Sequence, residues 1–157
     1  MSQGKGIFLT QNWHDINPHD HVVAQHYIQN PLLIDGLKFD LRIYVLLYGI
    51  NPMRIFIFEE GLARFATIPY QEPNFKNLNN MFMHLTNYAI NKNSSNYQQN
   101  ENAEGTGHSH KRSLASIWET IRDMGHDVNA LKDSIDDLII KTLITGQPSM
   151  WHIYRSS

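Results

Sequence analysis

A chain of 157 residues, 41% hydrophobic and 18% charged, has the length and mixture of one ordinary globular core, which excludes a fibre and a wholly disordered tail. Its formal net charge of -2 offers no basic footprint for nucleic acid, so any attraction to an acidic partner must be local. The absence of cysteine excludes a disulfide framework and thiolate metal sites, and no apolar run approaches the roughly 20 residues a membrane-spanning helix needs.

The chain opens with Ser2-Gln3-Gly4-Lys5-Gly6, a glycine loop feeding an apolar strand at residues 7–9. Glycines let backbone N–H groups approach phosphate oxygens and a lysine adds a point charge, although such a loop taken alone is an ordinary turn. Residues 22–28 read as an apolar-rich strand interrupted by Gln25 and His26. Residues 38–48 read as a strand whose period of two puts Lys38, Asp40 and Arg42 on one face and Phe39, Leu41, Ile43 and Val45 on the other. By itself this alternation describes a solvated edge as well as it describes a polar site.

Gly49-Ile50-Asn51-Pro52 has turn chemistry, residues 54–58 make a second strand, Glu59-Glu60-Gly61 turns again, and residues 62–67 make a third. The result is an antiparallel meander carrying Arg42 and Arg64. Residues 91–110 are almost without apolar side chains and predict a mobile loop, drawn over residues 91–112. Ser113 is an N-cap, with Leu114, Ile117, Trp118 and Ile121 on one helical face. A second helix would bury Leu131, Ile135, Leu138, Ile139 and Leu143 and end at Gly146 and Pro148. Of the nine histidines, two groups invite a metal hypothesis, His14, His19 and His21 near Asp15 and Asp20, and His108 with His110; neither has a closed zinc pattern, and both read as surface clusters.

Several blocks in order give a sharper reading: SQGKGIFL at residues 2–9, VVAQHYIQNPLLIDGLKFDLRIYVLL at 22–47, EEGLARFAT at 59–67, NLNNMFMHLTNYAINK at 77–92 and KRSL at 111–114. Together they resemble the tubulin tyrosine ligase-like amino-acid ligases, especially the polyglutamylase branch. The resemblance implies an α+β, ATP-grasp-like fold, here a partial domain over residues 1–157. It lacks the start of the phosphate loop and a downstream block of Asp, Glu and Asn that would hold Mg2+, so no metal ligand is assigned. ATP is then the nucleotide, with Lys5 and Gly6 at its phosphates and Gln25, His26, Tyr27 and Ile28 at the adenine hinge. Lys38, Phe39 and Asp40 lie along it, and Thr86 and Asn87 of the HLTNY block are further ligands.

In such enzymes a glutamate side-chain carboxylate of tubulin is phosphorylated, and the amino group of a free amino acid attacks the acyl phosphate. Arg42 is implied as the catalytic cation facing the transferring phosphate, since a planar guanidinium binds developing charge through two donors. Arg64 and Lys111, bordered by Tyr88, are implied as the clamp for free L-glutamate, whose two carboxylates call for two separated cations. His84 is a structural or substrate-adjacent residue. Each cation read without the resemblance is a surface charge, and Thr86 and Asn87 are then turn caps. The implied partner is tubulin or microtubules, for a monomer in the cytoplasm, on the cytoskeleton, or at a cilium or basal body. Two other readings use the same residues: a nucleotide- or tubulin-binding module that does not ligate, and an ATP-grasp ligase with another protein target.

Overall fold

In the computed structural model, which describes residues 6–99 and 109–156, the chain forms two compact units, Met1–Asp40 with Ala63–Arg112, and Leu41–Leu62 with Ser113–Ser157. The first unit is organised by the Asp35-Gly36 pair, which takes positive φ at both positions, 54° and 71°. That conformation makes the two-residue turn whose twist matches its flanking strands. The turn joins β1 (Leu33–Ile34) to β2 (Leu37–Arg42), paired antiparallel with Leu33 opposite Lys38 and Ile34 opposite Leu37. β5 (Leu62–Phe65) lies beside β2 and β6 (Lys111–Ser113) beside β5, giving the sheet order β1-β2-β5-β6.

Ile34, Ala63, Phe65 and Ala66 are buried in this unit with Met83 of the short helix α1 (Met81–His84). The ring of Phe39 stacks on that of Phe65 at 5.5 Å. Arg112 is also buried, at 8% exposure; its guanidinium lies 4.2 Å from the Phe65 ring and pairs with Asp35 Oδ2 at 2.6 Å. A second short helix, α2 (Tyr88–Asn91), ends in a buried asparagine. The side-chain oxygen of Asn91 accepts from Thr67 N at 3.1 Å and Thr67 Oγ1 at 3.0 Å, while its nitrogen donates to the carbonyls of Leu85 and Asn87. One amide thereby fixes the HLTNY segment to the end of β5.

In the second unit β3 (Val45–Ile50) and β4 (Met53–Ile57) form a separate antiparallel hairpin, with Leu46 opposite Phe56 and Tyr48 opposite Arg54. Helix α3 (Leu114–Asp123) starts at Ser113, whose hydroxyl oxygen accepts from Ser116 N at 3.3 Å, and it buries Leu114, Ile117, Trp118 and Ile121 as the helical spacing requires. Helix α4 (Val128–Ser156) packs on α3 and on β3, where the Gln147 amide donates to Ile50 O at 3.0 Å.

Several sequence expectations change. The strand expected over residues 38–48 divides into β2 and β3, which belong to different sheets, and β5 returns to β2 instead of pairing with β4, so the three strands are not one meander. Apolar alternation continues through the break and hides it; only the choice of ladder partner reveals it. Residues 7–9 and 22–28 are irregular, with Ile7, Phe8, Val22, Val23 and Ile28 exposed, because no neighbouring strand is present among the described residues to take their backbone groups. Helix α4 runs through Gly146 and Pro148 to Ser156. A proline inside a helix forfeits one amide bond and costs about 3 kcal/mol; the neighbouring Gln147 ties the helix here to Ile50 O at 3.0 Å. On α4 Leu131, Ile135, Ile139 and Leu143 are half-buried, whereas Leu138 is 65% exposed. The polar segment is ordered at both described ends, by Asn91 in α2 and by His110, buried just before β6; the middle of the expected loop lies outside the described residues.

Gly61 is required by close approach. Its carbonyl accepts Leu114 N at 2.9 Å, and an added Cβ would lie 2.5 Å from the Arg42 carbonyl oxygen and 3.0 Å from Leu114 Cδ2. Gly61→Ala is therefore expected to lower stability by about 1–3 kcal/mol in urea unfolding, the usual cost of overpacking against backbone. An unchanged midpoint would mean that the Arg42 strand yields freely.

Candidate active site

The first unit holds two clusters of polar side chains. In one, Lys38 points from β2 to a hydrogen-bonded group built on His84. His84 is 1% exposed; its Nε2 lies 3.0 Å from the carbonyl of Asn77 and its Nδ1 2.8 Å from the Tyr27 hydroxyl. A carbonyl only accepts, so Nε2 carries the proton and Nδ1 accepts from Tyr27. The Tyr27 oxygen in turn accepts from Lys38 Nζ at 3.2 Å, and the ammonium also donates to His84 O at 3.0 Å while lying 4.3 Å from the Tyr27 ring centroid.

Burial lowers the pKa of His84, and the Lys38 charge lowers it further, so the imidazole is neutral. Burial also raises the Tyr27 hydroxyl, with Tyr70 adding to the effect, and it lowers Lys38 against the opposing influence of Asp40. The arrangement fixes one cation at the rim of an apolar core. His84 is thus a structural residue that orients Tyr27 and, through it, Lys38.

The second cluster lines a shallow surface depression, open to solvent and with no enclosed space for a water molecule. Arg64, Thr86, Tyr88 and Lys111 line it together with Tyr97 and His110. The Arg64 guanidinium grips Asp40 with a fork, Nε to Oδ1 at 3.0 Å and Nη2 to Oδ2, which holds the planar cation in one orientation. Lys111 Nζ lies 3.9 Å from the centroid of the Tyr88 ring. The Lys111 ammonium with its aromatic walls, beside an arginine already paired with Asp40, suits a small anionic ligand bearing a short apolar chain.

The remaining sequence candidates are more scattered. Lys5 lies outside the described residues. Gly6 is exposed with φ 78°, and Gln25, His26 and Ile28 are exposed on an irregular segment. Phe39 is in the core stack, and Asn87 is half-buried at the start of α2 without a side-chain cap bond, so its amide is not consumed by the helix. Arg42 ends β2 in the second unit, exposed, with its guanidinium 5.8 Å from the Tyr44 ring.

Comparison with known proteins shows the family to which the chain belongs. The family model "Tubulin-tyrosine ligase family" matches residues 1–156. The chain belongs to the tubulin-tyrosine ligase family. Over 154 residues, 98% of the chain, it is 53% identical to a Tetrahymena thermophila protein named probable beta-tubulin polyglutamylase. It is 48% identical over the same length to mouse tubulin polyglutamylase TTLL13 and 47% identical to zebrafish tubulin polyglutamylase ttll6. The chain covers 13%, 18% and 19% of these three proteins, so it matches only a small part of each.

For a tubulin-tyrosine ligase family member this unit contains residues that sequence reading passed over. Tyr97 and His110 were placed in a loop, and His110 in a surface cluster, yet His110 is 7% exposed and stacks on Tyr97. The signals were there: Tyr97 is the single aromatic residue in a polar run, and His110, Arg112 and Leu114 alternate into the interior with strand period. Asp35 and Arg112 were missed because an ion pair linking distant residues leaves no local pattern. His14, His19 and His21 are exposed, and no group of three or more His, Asp or Glu among the described residues is arranged to hold a metal.

His84 and His110 both have pKa values lowered from 6.5 by burial. Below about pH 6.5 the unfolded chain binds protons that these buried rings refuse, so stability is complete above that pH and declines as pH falls toward the folded-state values. Each group contributes a slope of at most about 1.4 kcal/mol per pH unit. Urea midpoints measured at about pH 7.5 and pH 5.5 are expected to fall on acidification, and His84→Gln to flatten the fall. An equal slope in the variant would assign the acid sensitivity elsewhere.

Proposed function

We propose that this chain supplies the nucleotide- and amino-acid-binding part of a tubulin polyglutamylase, an ATP-dependent ligase that adds glutamate to glutamate side chains of tubulin tails. The observation that carries this reading is the convergence of Arg64, Lys111 and Tyr88 on one cleft, with Asp40 orienting the arginine. Two cations on one small cleft fit a dicarboxylate amino acid, whereas glycine needs one. The three compared relatives, all named as polyglutamylases, support the same choice.

In this reading the fold is part of an ATP-grasp domain. Lys38, held by Tyr27 and His84, binds the nucleotide, with Lys5, Gly6, Gln25, His26, Ile28, Phe39, Asp40, Thr86 and Asn87 as its remaining neighbours. ATP supplies the activation of the acceptor carboxylate. Arg42 stabilises charge on the transferring phosphate, and the cleft presents the amino group of free glutamate for attack on the activated carboxylate. The described residues do not form a metal cluster, so the accompanying Mg2+ is not assigned to them. Action on microtubules places the enzyme in the cytoplasm, on the cytoskeleton and in cilia or basal bodies, as a monomer.

The test is a graft of this chain in place of the 154 matching residues of mouse TTLL13, followed by mass spectrometry of tubulin tails after incubation with Mg-ATP and glutamate or glycine. Glutamate addition is expected; glycine addition, or none, would refute the reading. In the same graft Arg42→Ala is expected to lower turnover by about 10³-fold, the usual scale for an arginine in phosphoryl transfer. Lys111→Ala should raise the KM for glutamate roughly ten- to hundredfold, the equivalent of about 1.5–3 kcal/mol for a charged hydrogen bond, with the KM for ATP little changed. Equal loss of both would make Lys111 a structural residue of the cleft wall.

A further inference from the structure

An ammonium on a lysine stem has four rotatable bonds and about 2 kcal/mol of rotamer entropy, so a lone surface lysine does not define a distance to a second cation. Lys111 is not left to wander. Its Nζ sits 3.9 Å from the Tyr88 centroid, with Lys92 Nζ farther from the same ring at 5.8 Å. The Tyr88 ring meets the Tyr97 ring edge-on at 6.0 Å and 65°. Tyr97 stacks on His110 at 5.6 Å and 26°.

His110 is itself immobilised. Its Nδ1 accepts Gln98 N at 3.0 Å, its own N–H donates to Gln98 O at 3.3 Å, and its carbonyl accepts Phe65 N at 3.0 Å. Because His110 precedes Lys111 in the chain, the four side chains form a closed circuit from one end of the lysine back to the other.

We infer that the His110–Tyr97–Tyr88 ring ladder is the device that sets amino-acid length selectivity, by fixing the Lys111 ammonium in the cleft that it lines together with the fork-held guanidinium of Arg64. Tyr97 and His110 are positioning residues acting through Tyr88 and Lys111. The inference rests on the proposed function, in which this cleft binds free glutamate. A cation held in place distinguishes a glutamate side chain from one a methylene shorter, whereas a wandering cation accepts both. Offset and edge-on ring pairs favour defined geometries, and the ring face attracts the ammonium, so every contact in the ladder is directional.

The experiment measures binding of L-glutamate, L-aspartate, glycine and ATP by calorimetry to the TTLL13 graft described above, carrying this chain as wild type, Tyr97→Leu or Tyr97→Phe. Wild type is expected to prefer glutamate over aspartate by about tenfold, the low end of what one methylene contributes to discrimination. Tyr97→Leu keeps an apolar side chain but removes the ring, and should bring that ratio close to one with ATP affinity unchanged; Tyr97→Phe should restore it. If wild type does not prefer glutamate to glycine, the polyglutamylase reading of the cleft fails and the ladder with it. If wild type prefers glutamate and Tyr97→Leu keeps the ratio, the ladder alone is overturned. Loss of ATP and glutamate binding together in Tyr97→Leu, without rescue by Tyr97→Phe, would also overturn it in favour of a structural role. A measurement independent of any variant is the proton NMR shift of the Lys111 side-chain methylene next to nitrogen in wild type. It should lie upfield from the Tyr88 ring current, and a random-coil value removes the seat on which the proposal depends.

Discussion

The Arg112 guanidinium is the clasp on which the first unit depends. It sits on a strand at one edge of the sheet β1-β2-β5-β6, lies over the Phe65 ring of the strand beside it, and meets Asp35 in the turn that joins the two strands at the other edge. A buried guanidinium without its carboxylate would be far more costly than the pair, so turn, central ring and edge strand are held in one arrangement. The two residues before Arg112 are His110 and Lys111, which line the cleft. Their placement follows from that clasp as much as from their own contacts.

The polar chemistry is layered on this frame by strand alternation. Lys38 and Asp40 project from the same face of β2, and each takes a different neighbour: Lys38 goes to Tyr27 and His84, Asp40 to Arg64. Two positions of one strand, two residues apart, therefore serve two clusters. Asp40, read from sequence as a nucleotide ligand, is in structural terms the partner that orients a cation of the other cluster. The HLTNY segment is similarly divided. His84 and the downstream Asn91 are consumed in internal hydrogen bonds, while Thr86 and Tyr88 line the cleft.

The legible parts of the sequence were those that depend on local period or local chemistry. The face Leu114, Ile117, Trp118 and Ile121 and the Ser113 cap could be read directly, because a helix repeats its contacts within a few residues. The grouping of Arg64, Tyr88 and Lys111 came from resemblance to a family and not from spacing, since β sheets unite residues far apart in sequence. Strand partners were illegible for the same reason: β2 and β3 share one uninterrupted alternation but belong to different sheets. The Asp35-Gly36 turn was readable in principle, for that dipeptide between apolar residues is a strong hairpin signal. The continuation of α4 through Pro148 was not, because its Gln147 anchor to Ile50 is tertiary.

The paired hydrogen bonds between Gln98 and His110 close the stem of the polar segment on the sheet side of the cleft. Once a stem is fixed, the entropy of closing the chain between its ends grows only with the logarithm of length, about 0.6 kcal/mol for each doubling. Residues can therefore be gained or lost between the two stem positions at little thermodynamic cost, while the rings that seat Lys111 stay where they are. The segment is a place where length and composition can change without disturbing the side chains that line the cleft.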